Sequence, residues 1–395
     1  MAEVRSFSRS SFPTYLRDTR FLANDVGHFS VDVLNATVPI VLAILSVPLG
    51  LSNTAIGLIA TAYTFANALT QPLFGWLSDR YGLRWLGAVG LMWTAVFYAF
   101  SAVSPGWWSI VFLITSALGS AAFHPHGATV ASRVPLRVVT TAMAIFFLFG
   151  QTGSGLGPLL GGALVQASSR AGLLLLSGIT AVSAVWMWRN QPDLHTVVHE
   201  THASRRALDV SAVALALFAL TLFCRMTVLA MTTTFLPKHL QDLGWTPVSY
   251  GLVLSMVMIG SALGNVLGGK LADRLGRKPV LAASLLLAVP PLWLYLNTTG
   301  ITLFFLLFLV GLTTGAGFAV SVVMAQAMLP ARKALASGLV LGFMFASGAV
   351  GAAIGGWLSD SVGLAAVLQG MAWVALVGGI CALGLPEFIP QDDPI

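Results

Sequence analysis

The feature that most constrains this chain is a series of twelve apolar runs, each long enough to cross a lipid bilayer as a helix. Such a helix needs about 20 mostly apolar residues. Only 9% of the residues are charged and 57% are hydrophobic, whereas a soluble domain carries roughly 25% charge. We therefore predict an all-α membrane protein with twelve transmembrane helices, called spans 1 to 12, at roughly 21–46, 53–75, 83–103, 107–131, 139–167, 171–188, 209–236, 248–269, 279–297, 301–328, 334–358 and 363–385.

Polar segments divide these spans into two sets of six. The predicted units are a tail at 1–20, a six-helix bundle at 21–188, a linker at 189–208, a second six-helix bundle at 209–385 and a tail at 386–395. The linker contains His195, His199 and His202, but their irregular spacing favours a solvated connector over a metal site. We expect neither a metal nor a cofactor.

Basic residues set the predicted orientation. Seventeen of the twenty Lys and Arg residues lie in the tail 1–20 or in the connections after spans 2, 4, 6, 8 and 10; this is called the basic side, and the other the opposite side. Cytoplasmic loops carry an excess of Lys and Arg, so we expect the basic side, with both termini, to face the cytoplasm of a bacterial inner membrane. The basic residues form no patch, so we do not expect nucleic acid as a partner.

A charged turn between spans 2 and 3 recurs between spans 8 and 9. Its two copies are GWLSDRYGLR at 75–84 and GKLADRLGRK at 269–278. Asp273 follows Asp79 by 194 positions (273 − 79), and the same offset relates Gly251 to Gly57. The chain therefore consists of two related halves, which run parallel because each contains an even number of spans. The alternative is a pair of plain topology signals, which would not require the shared Gly and Asp.

These turns resemble the signature loops of the major facilitator superfamily of transporters. The resemblance implies the major facilitator fold, with a central cavity lined by spans 1, 4, 7 and 10, and transport by alternating access. It also implies that the turns latch the cytoplasmic side through ion pairs between helices. Leu83 departs from the family, which prefers a basic residue there. The predicted gate residues are Gly75, Asp79, Arg80, Gly82, Arg84, Gly269, Asp273, Arg274, Gly276, Arg277 and Lys278.

Span 5 carries glycines four positions apart around a proline. Small residues let membrane helices approach closely, and proline bends a helix. The pattern is similar to the span 5 motif that accompanies export in the superfamily; the alternative is plain helix packing. The predicted hinge residues are Gly153, Gly157, Pro158, Gly161 and Gly162.

Few ionisable residues lie inside the spans. They are costly in a membrane and are candidates for function by default. Span 1 carries Asp25, His28 and Asp32 at spacings of three and four, which places all three on one helix face. Asp25 is a candidate for proton coupling, with simple hydration near the basic-side edge as the alternative.

Span 4 carries His124 and His126 on either side of Pro125. At about 1.5 Å per residue, His28 and His124 lie about 12 to 13 Å from the basic side, and Asp32 about 18 Å from it. Histidine titrates near neutral pH, so a His–Asp pair can load and release a proton. We predict Asp32 as the proton-coupling acid, with His28 and His124 as its partners. His126 is a further candidate, with packing beside the proline as its alternative.

Arg225 lies near the middle of span 7. We predict that it binds an anionic substrate group or acts as counter-ion to Asp32; the alternative is an inert structural pair. Cys224 and Cys381 lie in apolar runs and indicate buried thiols. Further candidates for the substrate cavity are uncharged polar residues that would equally suit hydrogen bonds between helices, namely Tyr63, Asn67, Gln71, Gln151 and Gln326.

Three short motifs narrow the resemblance to the fosmidomycin-resistance group of bacterial drug exporters. They are His28-Phe-Ser-Val-Asp32, Gln71-Pro-Leu-Phe-Gly75 and Phe123-His124-Pro125. The group commonly has an acidic residue where this chain has His126. The resemblance implies a proton-driven antiporter that exports a small drug-like or anionic molecule, such as a phosphonate antibiotic.

Two alternatives remain open. Within transport, the chain would be a proton-coupled symporter or a facilitator for uptake of an organic anion. From another class, it would be a non-transporting membrane receptor or scaffold. The sequence has no Walker motif for ATP, and we do not expect an enzyme. The expected partners are a small-molecule substrate, protons and the lipid bilayer, with a monomer as the working unit.

Overall fold

The computed structural model describes residues 18–81, 83–132, 139–190, 211–328 and 333–386. All regular structure in these ranges is helical. The predicted tails and linker therefore lie largely outside the described residues, as do Gly82 and the side chains of Asp79, Arg80 and Gln326. The helices are α1 Thr19–Ser46, α2 Asn53–Ala68, α3 Gln71–Tyr81, α4 Leu86–Val103, α5 Trp108–Ser132, α6 Val139–Ser168, α7 Leu174–Arg189, α8 Ala212–Asp242, α9 Pro247–Leu275, α10 Arg277–Leu286, α11 Val289–Leu294, α12 Gly300–Ala316, α13 Phe318–Met328, α14 Lys333–Val362 and α15 Leu364–Leu383.

The described chain contains ten helical stretches that are long and apolar enough to cross a membrane. One of them, Ile145–Arg189, runs from α6 through a 3-10 turn into α7 and covers two predicted spans. Span 2 is not among the ten because it is divided into the shorter helices α2 and α3. The fold is all-α, as predicted, and is consistent with twelve spans.

Three predicted spans are broken into two helices each, which the apolar pattern did not indicate. Span 2 breaks ahead of Pro72, which has no N–H to donate to the carbonyl of Ala68. Span 9 breaks into α10 and α11 ahead of Pro290, and span 10 breaks into α12 and α13 at Gly317. Hydropathy reports only the apolar length, so it cannot show such local breaks.

The two halves share one core toward the opposite side and have separate cores toward the basic side. The shared cluster joins Leu42 of α1 to Phe235 of α8 and Val253 of α9. Nearer the basic side, Phe123 and Phe146 belong to a cluster of the N-terminal half alone, and a second cluster belongs to the C-terminal half alone. The structure is therefore closed on the opposite side.

The two most extensive helix contacts between the halves are the crossings of α2 with α14 and of α6 with α9. At the first, a Cβ added to Gly57 would lie 2.6 Å from the carbonyl oxygen of Ala352. At the second, a Cβ on Gly251 would lie 2.3 Å from that of Pro158. Only glycine permits such close backbone contact. The repeat that relates Gly57 to Gly251 in sequence thus relates two matching contacts in space.

Candidate functional site

Three titratable side chains meet between α1 and α5. His28 and Asp32 lie one turn apart on α1, and His124 lies on α5. Nε2 of His28 is 3.4 Å from Oδ2 of Asp32, and Nε2 of His124 is 3.3 Å from Oδ1. The structure thus brings together three residues that the sequence predicted to act together, and they are called the triad.

Backbone carbonyls hold the other nitrogen of both histidines. Nδ1 of His28 is 2.8 Å from the carbonyl oxygen of Phe146, and Nδ1 of His124 is 2.8 Å from that of Ser120. A carbonyl only accepts, so each Nδ1 carries a proton and donates it. A neutral ring then has only a lone pair at Nε2, which faces the carboxylate. A proton between either Nε2 and Asp32 turns a contact between lone pairs into a hydrogen bond. The triad is therefore built to hold up to two further protons.

The triad is also the group with the spacing of a metal site within the described residues. One nitrogen of each histidine and one carboxylate oxygen lie within 4.8 Å of one another. The sequence did not indicate this spacing, because His124 is remote from the other two residues along the chain. One proton at each Nε2 would satisfy both contacts with the carboxylate, so the arrangement can bind protons.

The triad is buried at one end and accessible at the other. The ring of Phe146 stacks on His28 with centroids 4.0 Å apart, and the side chain of His28 is only 4% exposed. Asp32 and His124 are 16% and 24% exposed. A Cβ added to Gly150 would lie 2.5 Å from the His28 ring. The sequence analysis did not identify Gly150, although it lies three positions before Gly153, the first of the predicted hinge glycines.

A chain of hydrogen bonds extends from Asp32 to α3. Nδ2 of Asn35 lies 3.1 Å from Oδ1 of Asp32 and 2.9 Å from Oγ of Ser120. Nδ2 of Asn67 donates to the same Oγ at 3.1 Å. Nε2 of Gln71 donates to Oδ1 of Asn67 at 2.9 Å. The network connects the triad to α2 and α3 without a charged member beyond Asp32.

Tyr63 supports this network from α2, since its hydroxyl donates to Oδ1 of Asn35 at 2.7 Å. The sequence had offered the polar residues of span 2 either as substrate ligands or as hydrogen bonds between helices. The structure shows hydrogen bonds from all three, and the substrate role remains a prediction. Asn35 and Ser120 were missed. Asn35 follows Asp32 by three positions and His28 by seven, so the helical period contained a signal for it.

The other two residues predicted for proton coupling are Asp25 on α1, one turn before His28, and His126 on α5. Asp25 is fully buried, so the alternative of hydration at the membrane edge is wrong. His126 is buried against α4, where a Cβ on Gly87 would lie 2.5 Å from its ring. Gln151, a predicted cavity residue, is half-buried on α6.

Arg225 occupies a separate place in the C-terminal half. Its Nε and Nη2 donate to the carbonyl oxygen of Thr314 at 2.9 and 2.7 Å, and its guanidinium lies over the ring of Phe318 at 5.6 Å. Carbonyls in the last turn of a helix have no intrahelical partner, and α12 ends at Ala316. Arg225 therefore satisfies the broken end of α12. Its side chain is not paired with Asp32 in this conformation.

The predicted hinge glycines all lie at close helix contacts. A Cβ on Gly153 would meet the carbonyl of Phe29 at 2.3 Å, and one on Gly157 would meet that of Val33 at 2.6 Å. Both face α1. Gly162 lies in the same way on the carbonyl of Pro247 of α9, at 2.2 Å. Span 5 is thus packed on one side within its own half and on the other against the second half.

The structure describes every residue of the second gate turn, at 269–278. Gly276 ends α9 with φ of 95°, a value that favours glycine, and α10 begins at the next residue. Asp273 and Arg274 are exposed, and neither forms an ion pair with another described residue. The predicted latch between the turns therefore remains a prediction, since the side chains of Asp79 and Arg80 lie outside the described residues.

A cavity of about 160 Å³ lies between α2, α8 and α14, where the halves face each other. Thr64, Thr233 and Thr234 supply hydroxyl groups, and Met226 and Phe345 supply apolar surface. Its described lining contains no charged side chain. The sequence predicted none of these residues, because an isolated threonine in an apolar run carries no distinguishing pattern.

Comparison with known proteins supports one family. The profile described as Major Facilitator Superfamily matches residues 26–237 and 218–393. The fosmidomycin resistance protein of Escherichia coli (strain K12) is 26% identical over 386 residues, which covers 92% of each chain. An uncharacterized MFS-type transporter, YfnC of Bacillus subtilis (strain 168), is 28% identical over 378 residues, covering 92% of this chain and 91% of the relative.

Solved structures share the fold at low sequence identity. A bacterial homologue of the human lysosomal transporter Spinster, in an inward-facing and occupied conformation, gives a TM-score of 0.77 at 15% identity. The alignment covers 94% of this chain and 95% of that one. At this identity the likeness concerns the fold alone.

Proposed function

The chain belongs to the major facilitator superfamily, whose members are membrane transporters and not enzymes, and from this premise we propose that it is a proton-coupled antiporter that exports a small drug-like or anionic molecule by alternating access. The observation that carries the proposal is the triad. Its two Nε2 atoms lie 3.4 and 3.3 Å from the carboxylate of Asp32, and both Nδ1 atoms are already committed to carbonyls.

The triad can change its charge without changing its packing. With both Nδ1 protons fixed, it carries one negative charge when no further proton is bound, none with one proton and one positive charge with two. Charge is costly inside a membrane protein, so the charged and neutral forms of the triad favour conformations in which water reaches the site to different extents. The accessible members, Asp32 and His124, are the ones through which protons would enter.

The lining of the cavity and one relative support the proposed substrate class. Threonine hydroxyls beside methionine and phenylalanine suit a small, mostly apolar molecule with a few polar groups. The similar protein of Escherichia coli carries resistance to fosmidomycin in its name, which supports export of a drug-like compound. We include anionic compounds because the resemblance to the fosmidomycin-resistance group implies a phosphonate substrate, and phosphonates are anionic.

The direction of proton movement separates antiport from the main alternative. A substrate that competes with the protons of the triad must exchange for them, which gives antiport. An anion that binds to the protonated triad would travel with the protons, which gives symport and uptake. We further propose that the protein lies in a bacterial inner membrane with its basic side in the cytoplasm, as the distribution of Lys and Arg favours.

Proton flux in proteoliposomes tests the proposal. Purified protein is reconstituted, a pH gradient is imposed, and proton movement is followed on addition of fosmidomycin and a panel of organic anions and uncharged drugs. We expect one class of compound to drive protons in the opposite direction to itself. Asp32→Asn should abolish this flux, and Asp242→Asn should keep it, because Asp242 is exposed at the end of α8 and pairs with Lys238 of the same helix.

Four outcomes would contradict parts of the proposal. Protons and substrate moving together would establish a symporter. Substrate movement that ignores the pH gradient in wild type would establish a facilitator. Binding of a compound without any flux would favour a receptor. If Asp32→Asn retains full coupling, the triad does not carry the protons.

A further inference from the structure

The two crossings that close the opposite side match each other residue by residue. At each crossing, one glycine of each half lies on a backbone carbonyl of the other half, and an added Cβ would stand 2.2 to 2.6 Å from the oxygen. The offset of 194 positions converts every contact of one crossing into a contact of the other. The four contacts are Gly57 on Ala352, Gly356 on Asn53, Gly251 on Pro158 and Gly162 on Pro247.

Each crossing also contains a side chain of one half that caps the first turn of a helix in the other half. Asp360 of α14 accepts hydrogen bonds from the N–H of Asn53 at 2.8 Å and from the N–H and hydroxyl of Thr54, the former at 2.9 Å. Gln166 of α6 accepts one from the N–H of Val248 at 3.2 Å through Oε1. Asp360 and Gln166 are themselves 194 positions apart (360 − 166).

The two caps differ in strength. The first N–H groups of a helix have no intrahelical partner, and the helix N-terminus carries partial positive charge. The carboxylate of Asp360 accepts three hydrogen bonds there, and its negative charge complements the partial positive charge of the helix N-terminus. Hydrogen bonds to an ionised acceptor are roughly twice as strong as neutral ones. Gln166 offers one neutral bond at a similar place. The sequence repeat has therefore preserved the position of the cap and changed its charge.

We propose that Asp360 and Gln166 are an unequal pair of clasps between the halves, and that the Asp360 clasp sets how readily the protein opens to the opposite side. Opening must break these bonds, because the donors and acceptors belong to different halves. The capped groups of α2 are exposed, so water can replace the carboxylate when the crossing separates, which keeps the step reversible. The inference rests on the alternating access of the proposed function, but it involves neither the triad nor proton coupling.

Amide hydrogen exchange of the full-length protein in lipid nanodiscs tests the clasp. Peptides that cover 51–57 and 247–253 report the two crossings separately. Asp360→Asn removes the charge and keeps the shape, and we expect exchange to rise about fivefold in both peptides, as for the loss of an ordinary helix cap. Gln166→Glu gives the weak clasp a carboxylate and should slow exchange in both peptides.

Asp242→Asn is the matched control, because it removes an exposed carboxylate on the same side that is paired within its own helix. It should leave both peptides unchanged. A rise confined to 51–57 in Asp360→Asn would show a local cap that does not control opening, and unchanged exchange in both variants would show that the clasps contribute nothing. Either result would overturn the proposal without bearing on whether protons are coupled to transport.

Discussion

The two halves share one plan but use corresponding positions in opposite ways. In the N-terminal half, α1 and α5 carry the titratable triad. The offset of 194 positions places Leu222, Met226 and Phe318 at the corresponding sites of the C-terminal half. The first two lie in the apolar core of that half, and Phe318 packs against it. The proposed proton site thus lies in one half, and the three corresponding positions of the other half are apolar.

One carbonyl position shows the difference most clearly. The carbonyl of Ser120 accepts from Nδ1 of His124, and the corresponding carbonyl, that of Thr314, accepts from Arg225. In the first case the bond orients a titratable ring toward Asp32. In the second case, the carbonyl of Thr314 accepts hydrogen bonds from Nε and Nη2 of Arg225 at the broken end of α12. Corresponding carbonyls therefore orient a member of the proposed proton site in one half and bind a cation at a helix end in the other.

Making the N-terminal half resemble the other gives the largest expected effect. His124→Phe introduces the residue found at the corresponding position, Phe318. We expect proton-coupled flux in proteoliposomes to fall about 100-fold, because one of the two nitrogens that face Asp32 is lost and a positioned proton carrier contributes on this order. Leu222→Met, a volume-conserving change in the apolar core at the position corresponding to His28, should leave flux unchanged. Normal flux in His124→Phe would remove His124 from the proton path.

Removing the C-terminal cation should affect stability and not coupling. Arg225→Gln leaves the carbonyl of Thr314 buried without its charged donor, which costs roughly 2 to 3 kcal/mol. We expect a lower melting temperature in detergent and an unchanged number of protons per substrate in the protein that survives. The melting temperature of Arg225→Lys should lie between those of wild type and Arg225→Gln. A stable Arg225→Gln protein that cannot transport would instead support the sequence-based prediction of a substrate ligand or counter-ion.

The sequence predicted much of this arrangement because its signals are strong and local. Apolar length indicated the spans, and the repeat of the charged turn indicated two parallel halves. The triad could be predicted because His28 and Asp32 share a helix face and His124 lies at matching depth. These inferences need only helix geometry and the cost of charge in lipid.

Other features depend on where neighbouring helices lie, and no local pattern reports that. Arg225 stands near the middle of its span, as Asp32 does, but the break at Gly317 on another helix decides its partner. Gly150 differs from other span 5 glycines only because the His28 ring packs on it. Asp360 looks like an ordinary end-of-helix acid until the first turn of α2 is placed against it.

The space beside His28 offers a sharper test of the comparison. Gly150→Ala places a methyl group where it would stand 2.5 Å from the ring, whereas the corresponding residue, Met344, is fully buried. We expect the displaced ring to lower coupled flux about tenfold, a loss within the range for a misplaced proton carrier. Gly342→Ala on α14 is the control, since an added Cβ there meets nothing within 4 Å. Equal flux in both variants would mean that the position of the ring does not matter.

The smallest expected effect concerns the network behind Asp32. Tyr63→Phe removes the hydroxyl that donates to Oδ1 of Asn35 and leaves the aromatic ring in place. Loss of one neutral hydrogen bond costs about 1 kcal/mol, so we expect coupled flux to fall no more than about fivefold. Asn35→Ala removes the donors to both Asp32 and Ser120 and should reduce flux further. If Tyr63→Phe lowers flux as strongly as His124→Phe, the tyrosine hydroxyl contacts the proton or the substrate directly, and the functional site of the N-terminal half extends from the triad into α2.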